Sequence, residues 1–121
     1  MPRSAEIGLV LDCRDPDALA PFWCAALGYV VVGAVENYVM LVPDGRDGPK
    51  LLLQRVPEAK VAKNRMHLDI EVADIESVVA RLEELGGSRR RAGVQREHGS
   101  HWIVMADPED NEFCVCDGGG G

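Results

Sequence analysis

The stretch from His67 to Gly87 reads HLDIEVADIESVVARLEELGG, and its two hydrophobic periods decide the fold. From His67 to Val72 polar and apolar residues alternate, which is the pattern of a β-strand buried on one face. From Asp74 onward apolar residues recur at intervals of three and four, which predicts a helix that Asp74 caps and that ends before Gly86. A strand followed directly by an amphipathic helix is therefore predicted.

The first part of the chain repeats this order. Residues 7–12 (IGLVLD) predict a strand, and Asp15-Pro16 begins a helix that ends before Gly28. Asp15 lies 59 residues before Asp74. Three strand-like runs follow each helix, at residues 29–32, 38–42 and 51–56 and again at residues 88–92, 102–105 and 113–116. Such a period indicates two copies of one unit.

The repeat predicts an α+β fold made of two βαβββ modules, module one at about residues 5–57 and module two at about residues 64–117. We expect a single domain over residues 1–117 and a flexible glycine tail at residues 118–121. When a helix covers one face of a small sheet, the other face must be covered by another element or must enclose a ligand. The two modules are therefore expected to form a cupped mixed sheet with the helices on the outside and a cavity within.

Composition narrows the classes of partner. The 121 residues carry 13 Lys+Arg and 20 Asp+Glu, a formal net charge of −7. Because nucleic-acid-binding proteins usually present a clustered basic surface, nucleic acid is not an expected partner. No apolar run reaches the roughly 18 residues of a membrane span, and the first residues lack the apolar core of a signal peptide. We therefore expect no membrane association, a cytoplasmic location and reduced cysteines.

Several short motifs stand in a fixed order along the chain. They are Asp15-Pro16, Phe22-Trp23, Leu27-Gly28, His67 seven residues before Asp74, Leu85-Gly86, and Asp107-Pro108-Glu109-Asp110-Asn111-Glu112-Phe113. Together they resemble the glyoxalase, bleomycin-resistance and extradiol-dioxygenase superfamily, also called vicinal oxygen chelate proteins, and most of all its small glyoxalase-like branch. The resemblance covers nearly the whole chain. It implies paired βαβββ modules that dimerisation often completes, so a homodimer is expected.

The resemblance also implies a divalent-metal site, held by two His and two Glu or Gln from the first and last strands of the modules. The first-strand positions are here Gly8 and His67, and the last-strand position of module two is Cys114. The last-strand position of module one is Leu52 or, two residues later on the same face, Gln54. One imidazole, one thiol and one amide make a poor metal site. No cofactor is therefore expected, and a divalent metal (Zn, Mn, Ni or Fe) is the alternative.

Polar residues on the strands are candidates to meet a ligand. His67 and Asp69 share the face that points away from the helix, so Asp69 could orient His67 as a general base, or the two could only hydrogen-bond. Trp102 fits an aromatic cavity wall or the core. Arg89 to Arg91 form a solvated basic edge, or alternatively receive an acidic substrate. The candidate ligand-binding residues are His67, Asp69, Gln54, Trp102 and Cys114, with His67 as the best catalytic candidate.

Two classes of function follow. The first is a metal-independent protein of the bleomycin-resistance type that binds or sequesters a small organic molecule. The second is a lyase, isomerase or dioxygenase of the same superfamily that uses a divalent metal or His67 as general base. The few metal donors favour the first class, and resemblance alone cannot decide, because one fold hosts many chemistries.

Overall fold

The structure, a computed structural model, describes residues 7–91, 93–97 and 99–117. The chain divides into two compact units between Ala59 and Lys60, called unit 1 and unit 2 below. Each unit is a mixed sheet with one helix in βαβββ order, so the predicted α+β fold is confirmed. The glycine tail predicted at residues 118–121 lies outside the described residues.

Unit 1 contains four strands and one helix. They are β1 (Leu9–Cys13), α1 (Pro16–Leu27), β2 (Tyr29–Val35), β3 (Tyr38–Pro43) and β4 (Leu51–Arg55). The strand order is β1-β4-β3-β2, in which β1 and β4 are parallel and the other pairs are antiparallel. Each of the predicted elements is present in unit 1, and no bound differs from its predicted position by more than three residues.

Unit 2 contains five strands and one helix. They are β5 (Leu68–Glu71), α2 (Ile75–Glu84), β6 (Ser88–Arg89), β7 (Gln95–Glu97), β8 (Ser100–Ala106) and β9 (Glu112–Asp117). The order β5-β9-β8-β6 repeats that of unit 1, and β7 also pairs with β8. The strand predicted at residues 88–92 ends at Arg89, and Ala92 lies outside the described residues. The sequence did not predict β7, because its residues are all polar.

Both helices begin at the predicted aspartates. The Asp15 carboxylate accepts a hydrogen bond from the Ala18 N–H at 3.2 Å, and the Asp74 carboxylate accepts one from the Ser77 N–H at 3.4 Å. These bonds satisfy N–H groups that have no partner within the helix. Gly28 ends α1 with φ +68°, a left-handed conformation that glycine adopts without strain. The predicted caps are therefore confirmed.

One face of each sheet packs against its helix and forms the core of that unit. In unit 1 the rings of Phe22 and Trp23 are buried and meet edge to face with centroids 5.4 Å apart. Leu53 on β4 is fully buried on the same side. In unit 2 the fully buried Val79 of α2 and Val115 of β9 have the corresponding roles. The aromatic pair of the Phe22-Trp23 motif therefore belongs to the core of unit 1.

Two expectations from composition concern the cysteines and the membrane. None of the four cysteines is in a disulfide bond, and Cys13, Cys114 and Cys116 are buried, as is common for reduced cysteine. Over residues 7–91, 93–97 and 99–117, neither the length nor the apolar character of any helix is sufficient for crossing a membrane.

Candidate functional site

The face of the unit 2 sheet that points away from α2 carries the candidate site. Asp69 on β5 pairs in register with Cys114 on β9, which pairs with Val104 on β8. Side chains alternate along a strand, and the neighbouring Ile70 and Val115 are buried in the core. Asp69, Cys114 and Val104 therefore form a row on the opposite face.

A cleft of about 550 Å³ opens on this face. Its lining includes three residues that the sequence predicted as ligand-binding, namely His67 just before β5, Trp102 on β8 and Cys114 on β9. Trp102 is partly exposed, whereas Trp23 is buried, so Trp102 is available to a ligand and Trp23 is not. The structure thus brings together residues that are up to 47 positions apart in the sequence.

His67 and Asp69 form a polar pair at this cleft. The Nε2 atom of His67 lies 3.1 Å from Oδ1 of Asp69, and about a third of each side chain is exposed. An Nε2–H donated to the carboxylate leaves Nδ1 of the neutral ring as its basic atom. The arrangement can orient an imidazole for proton transfer, as the spacing of two residues on one strand face suggested.

Cys114 forms part of the floor of the cleft. Burial raises the pKa of its thiol to about 11, and the nearby negative charge of Asp69 adds to this effect. The positive charges of Lys63 and Arg91 act in the opposite direction but do not outweigh burial. The thiol is therefore protonated at neutral pH and is a poor nucleophile as it stands.

Three cations at the cleft were not among the predicted site residues. Lys63, Arg90 and Arg91 all line it. Arg90 donates to the Asp110 carboxylate at 2.6 Å, and its predecessor Arg89 instead reaches the carboxylates of α2. The run of three arginines was the available signal. All three are exposed, as a basic edge requires, and Arg90 and Arg91 also line the cleft, as a site for an acidic ligand requires.

Glu112 ties a preceding segment to the edge of the cleft. Its Oε1 accepts from the Lys60 ammonium at 2.9 Å and from the Asn64 N–H at 2.7 Å. Its own N–H donates to the Asn64 side-chain oxygen at 3.1 Å. The hydrogen bond from Lys60, followed by that from Asn64, lowers the pKa of Glu112. This clamp fixes the segment that carries Lys63, and sequence reasoning missed it.

The Asp107–Asn111 motif builds the turn that joins β8 to β9. The buried Asp107 carboxylate accepts from the N–H groups of Glu109 and Asn111 at 2.8 and 2.9 Å and from the Asn111 amide. Asp110 adopts a left-handed φ of +69° within the turn. The motif is therefore structural, and its effect on the site is to deliver Glu112 and Cys114 to the start of β9.

A depression in unit 1 is larger than this cleft but has fewer groups suited to binding a ligand. It measures about 1000 Å³ and lies beside the start of β1, where Gly8, Asp47, Gly48, Pro49 and Lys50 form most of its lining. None of its lining residues is aromatic, and its charged side chains lie in an exposed loop or at the end of one. Ligand pockets usually combine apolar walls with a few convergent polar groups, so we favour the smaller cleft of unit 2.

Comparison with known proteins identifies the family. The glyoxalase-like domain model matches residues 8–116, which is most of the chain. The chain belongs to the glyoxalase-like domain family. The resemblance inferred from the sequence motifs is therefore confirmed.

Solved structures of glyoxalase-like proteins share the fold. A fosfomycin resistance protein, FosX, from Listeria monocytogenes has a TM-score of 0.76 at 11% identity, over 96% of this chain and 94% of that one. A glyoxalase/bleomycin resistance protein/dioxygenase family enzyme from Burkholderia phytofirmans has a TM-score of 0.75 at 15% identity, over 90% of this chain and 94% of that one. Lactoylglutathione lyase from Agrobacterium tumefaciens has a TM-score of 0.66 at 23% identity, over 97% of this chain and 96% of that one. No curated protein matches the chain significantly.

The four-ligand metal site expected of the glyoxalase-like family does not fit this chain. Val10 pairs with Leu52 as Asp69 pairs with Cys114, so Gly8 and Leu52 are the unit 1 counterparts of His67 and Cys114. Neither Gly8 nor Leu52 has a side-chain donor atom. The other unit 1 candidate is Gln54, which lies two residues after Leu52 on β4. It pairs with Asp12 and Tyr38.

Unit 2 alone nevertheless contains a three-donor cluster. The ligand atoms of His67, Asp69 and Cys114 all lie within 4.8 Å of one another. Nitrogen, oxygen and sulfur are all ligands that Zn²⁺ accepts, and three protein ligands leave a position open. Binding would require loss of the Cys114 proton, which is costly for a thiol with a raised pKa. These are the residues that could hold a metal.

Proposed function

We propose that this glyoxalase-like protein binds a small organic molecule in the cleft of unit 2 without a metal. The observation that carries the proposal is the cleft itself, which combines the exposed part of Trp102 with Val104 and with the polar pair His67–Asp69. Aromatic and apolar walls bind a ligand, and a few polar groups orient it. Sequestration of such a molecule, as in bleomycin-resistance proteins, needs no further chemistry.

The donor set supports metal independence. Two of the four family positions have no side-chain donor atom, and the Cys114 thiol is held protonated by burial. We further propose that the chain acts as a single domain over residues 1–117, as a cytoplasmic homodimer. The resemblance to a family in which dimerisation often completes the paired modules supports the dimer.

A ligand screen tests this function directly. A library of small aromatic compounds is screened by ligand-observed NMR, and each compound that binds is titrated by calorimetry into the wild-type protein and into Trp102→Phe, so that the readout does not depend on the tryptophan that is replaced. We expect some compounds to bind the wild type at least tenfold more tightly than the variant, since aromatic anchors contribute about 2 kcal/mol or more. Tyr38→Phe is the matched control, because Tyr38 occupies the position in unit 1 that Trp102 occupies in unit 2. Equal binding by Trp102→Phe and the wild type would contradict the proposal.

A second candidate function is that of a metal-dependent enzyme of the superfamily. The observation that favours it is the close approach of His67, Asp69 and Cys114. Native mass spectrometry after addition of Zn²⁺, Mn²⁺, Ni²⁺ or Fe²⁺ distinguishes the two functions. One metal per chain that His67→Ala removes would favour the enzyme. The control is His101→Ala, because His101 forms a similar pair with Asp117 at 3.2 Å.

A further inference from the structure

The charge at the unit 2 cleft is opposite in sign to that of the chain. The whole sequence has a net charge of −7. The cleft nevertheless has Lys63, Arg90 and Arg91 in its lining, with one carboxylate, that of Glu112. Cations gathered in a concave surface raise the local concentration of anions, and the low-dielectric walls strengthen the effect.

The carboxylates at or beside this cleft already have cationic or polar partners. Glu112 pairs with Lys60 at 2.9 Å, and Asp110 pairs with Arg90 at 2.6 Å. Asp69 contacts His67 at 3.1 Å. Among the described residues Lys63 and Arg91 form no salt bridge, although the charge of Lys63 helps at longer range to lower the pKa of Glu112.

The positive charges of Lys63 and Arg91 also act on the interior of the cleft. Lys63 and Arg91 each oppose the rise in the pKa of the Cys114 thiol, which lies at the floor. The clamp by Glu112 fixes the segment that carries Lys63. Arg91 follows Arg90, whose backbone N–H donates to the Val104 carbonyl at 2.8 Å and so ties this part of the chain to β8. The backbone of both cations is thus anchored at the cleft that Trp102 also lines.

We propose that the cleft selects a small organic oxyanion with a flat apolar part. Lys63 and Arg91 hold the carboxylate or phosphate group, and Trp102 packs against the apolar part. A planar guanidinium can bind an oxyanion through two parallel hydrogen bonds, and an ammonium adds a point charge. This inference rests on the proposed function, since it names the class of molecule that the same cleft takes.

Calorimetric titration at low salt with four naphthalene probes tests the inference. 2-Naphthoate and 2-naphthyl phosphate are the anions, 2-naphthalenemethanol is neutral, and 2-naphthylmethylammonium is a cation of similar shape. We expect at least one anion to bind tenfold or more tightly than the neutral compound, and the cation to bind most weakly. The preference should weaken as salt is added, because the groups are partly exposed.

Variants identify the groups responsible. Lys63→Gln and Arg91→Gln are each expected to weaken binding of the anion about five- to tenfold and to leave binding of the neutral compound unchanged. Arg96→Gln is the matched control, since Arg96 is an exposed arginine on β7 outside the cleft lining and its loss changes the net charge equally. Circular dichroism checks that each variant is folded.

The outcomes separate this inference from the proposed function. Equal affinity for the anionic and neutral probes, both lost in Trp102→Phe, would overturn the inference and leave the proposed function standing. If Arg96→Gln weakened binding of the anion as much as Arg91→Gln does, the anion would be attracted by the overall charge and not bound at a site. That result would also overturn the inference. Failure of every probe to bind overturns the inference, while the library screen decides the proposed function separately.

Discussion

Units 1 and 2 have the same strand order and the same parallel pairing of first and last strands, yet only one of their two faces is alike. On the helix side, Leu53 and Val115 occupy equivalent positions, and both are fully buried. On the other side, unit 1 pairs Val10 with Leu52 where unit 2 pairs Asp69 with Cys114. The comparison teaches that packing on the helix specifies the fold, whereas the opposite face is free to carry chemistry.

The largest expected effect concerns the two faces of unit 1. Leu53→Ala should lower the free energy of unfolding by about 2–5 kcal/mol, because it leaves a cavity in a fully buried site. Leu52→Ala, one residue away on the half-buried face, should cost about 1 kcal/mol. Urea denaturation followed by circular dichroism measures both. Similar losses of unfolding free energy in the two variants would show that both faces of the sheet are equally packed, and would contradict the difference drawn between them.

The clamp at Glu112 sharpens the comparison, because unit 1 has Lys50 at the equivalent position before β4. Glu112→Gln should lower the free energy of unfolding by about 2 kcal/mol, since the charged acceptor of two hydrogen bonds is lost. Lys50→Gln is the control and should change it by less than about 0.5 kcal/mol. A small effect of Glu112→Gln would mean that the segment around Lys63 is held by other contacts.

The clamp also gives stability a dependence on pH. The pKa of Glu112 is lowered in the folded state, chiefly by Lys60, so the unfolded state binds a proton more readily. The stabilisation is therefore present above the ordinary glutamate pKa of about 4.3 and is lost as the pH falls through the lower folded value. Urea denaturation between pH 7 and pH 3 should show wild type and Glu112→Gln converging in acid. A constant difference would contradict this account.

The smallest expected effects are alike in the two units. Asp15→Ala and Asp74→Ala each remove a helix cap and should each lower the free energy of unfolding by about 1 kcal/mol. Asp47→Ala, in an exposed loop, controls for loss of a charge. Thermal unfolding measures all three variants. A cap that matters in one unit only would show that the two helices are not held in equivalent ways.

Local patterns were sufficient to predict most of the fold. Each helix was recognisable from an aspartate cap, an apolar stripe and a terminal glycine, all within about 14 residues. The strand β7 was missed, since its polar residues Gln95 to Glu97 form a strand only because β8 extends far enough to pair with them. Its existence depends on a partner and not on its own pattern.

The sequence predicted only those contacts of the candidate site that join residues close together in the chain. The proximity of His67 to Asp69 follows from the two-residue period of a strand. The hydrogen bond from Lys60 to Glu112 joins residues 52 positions apart, and the sequence pattern of neither segment predicts it. The direction of Arg91 depends on the path of the chain after β6, so the arginine run could be interpreted in two ways.

The most direct test of the account is a ¹H–¹⁵N NMR titration of the protein with 2-naphthoate. The central claim is that unit 2, on the face away from α2, binds the ligand. We predict that the shifted amides cluster at Lys63, His67, Arg91, Trp102 and Cys114, and that Trp102→Phe reduces these shifts. Shifts that cluster instead on the equivalent face of unit 1, or that are absent from unit 2, would contradict the claim.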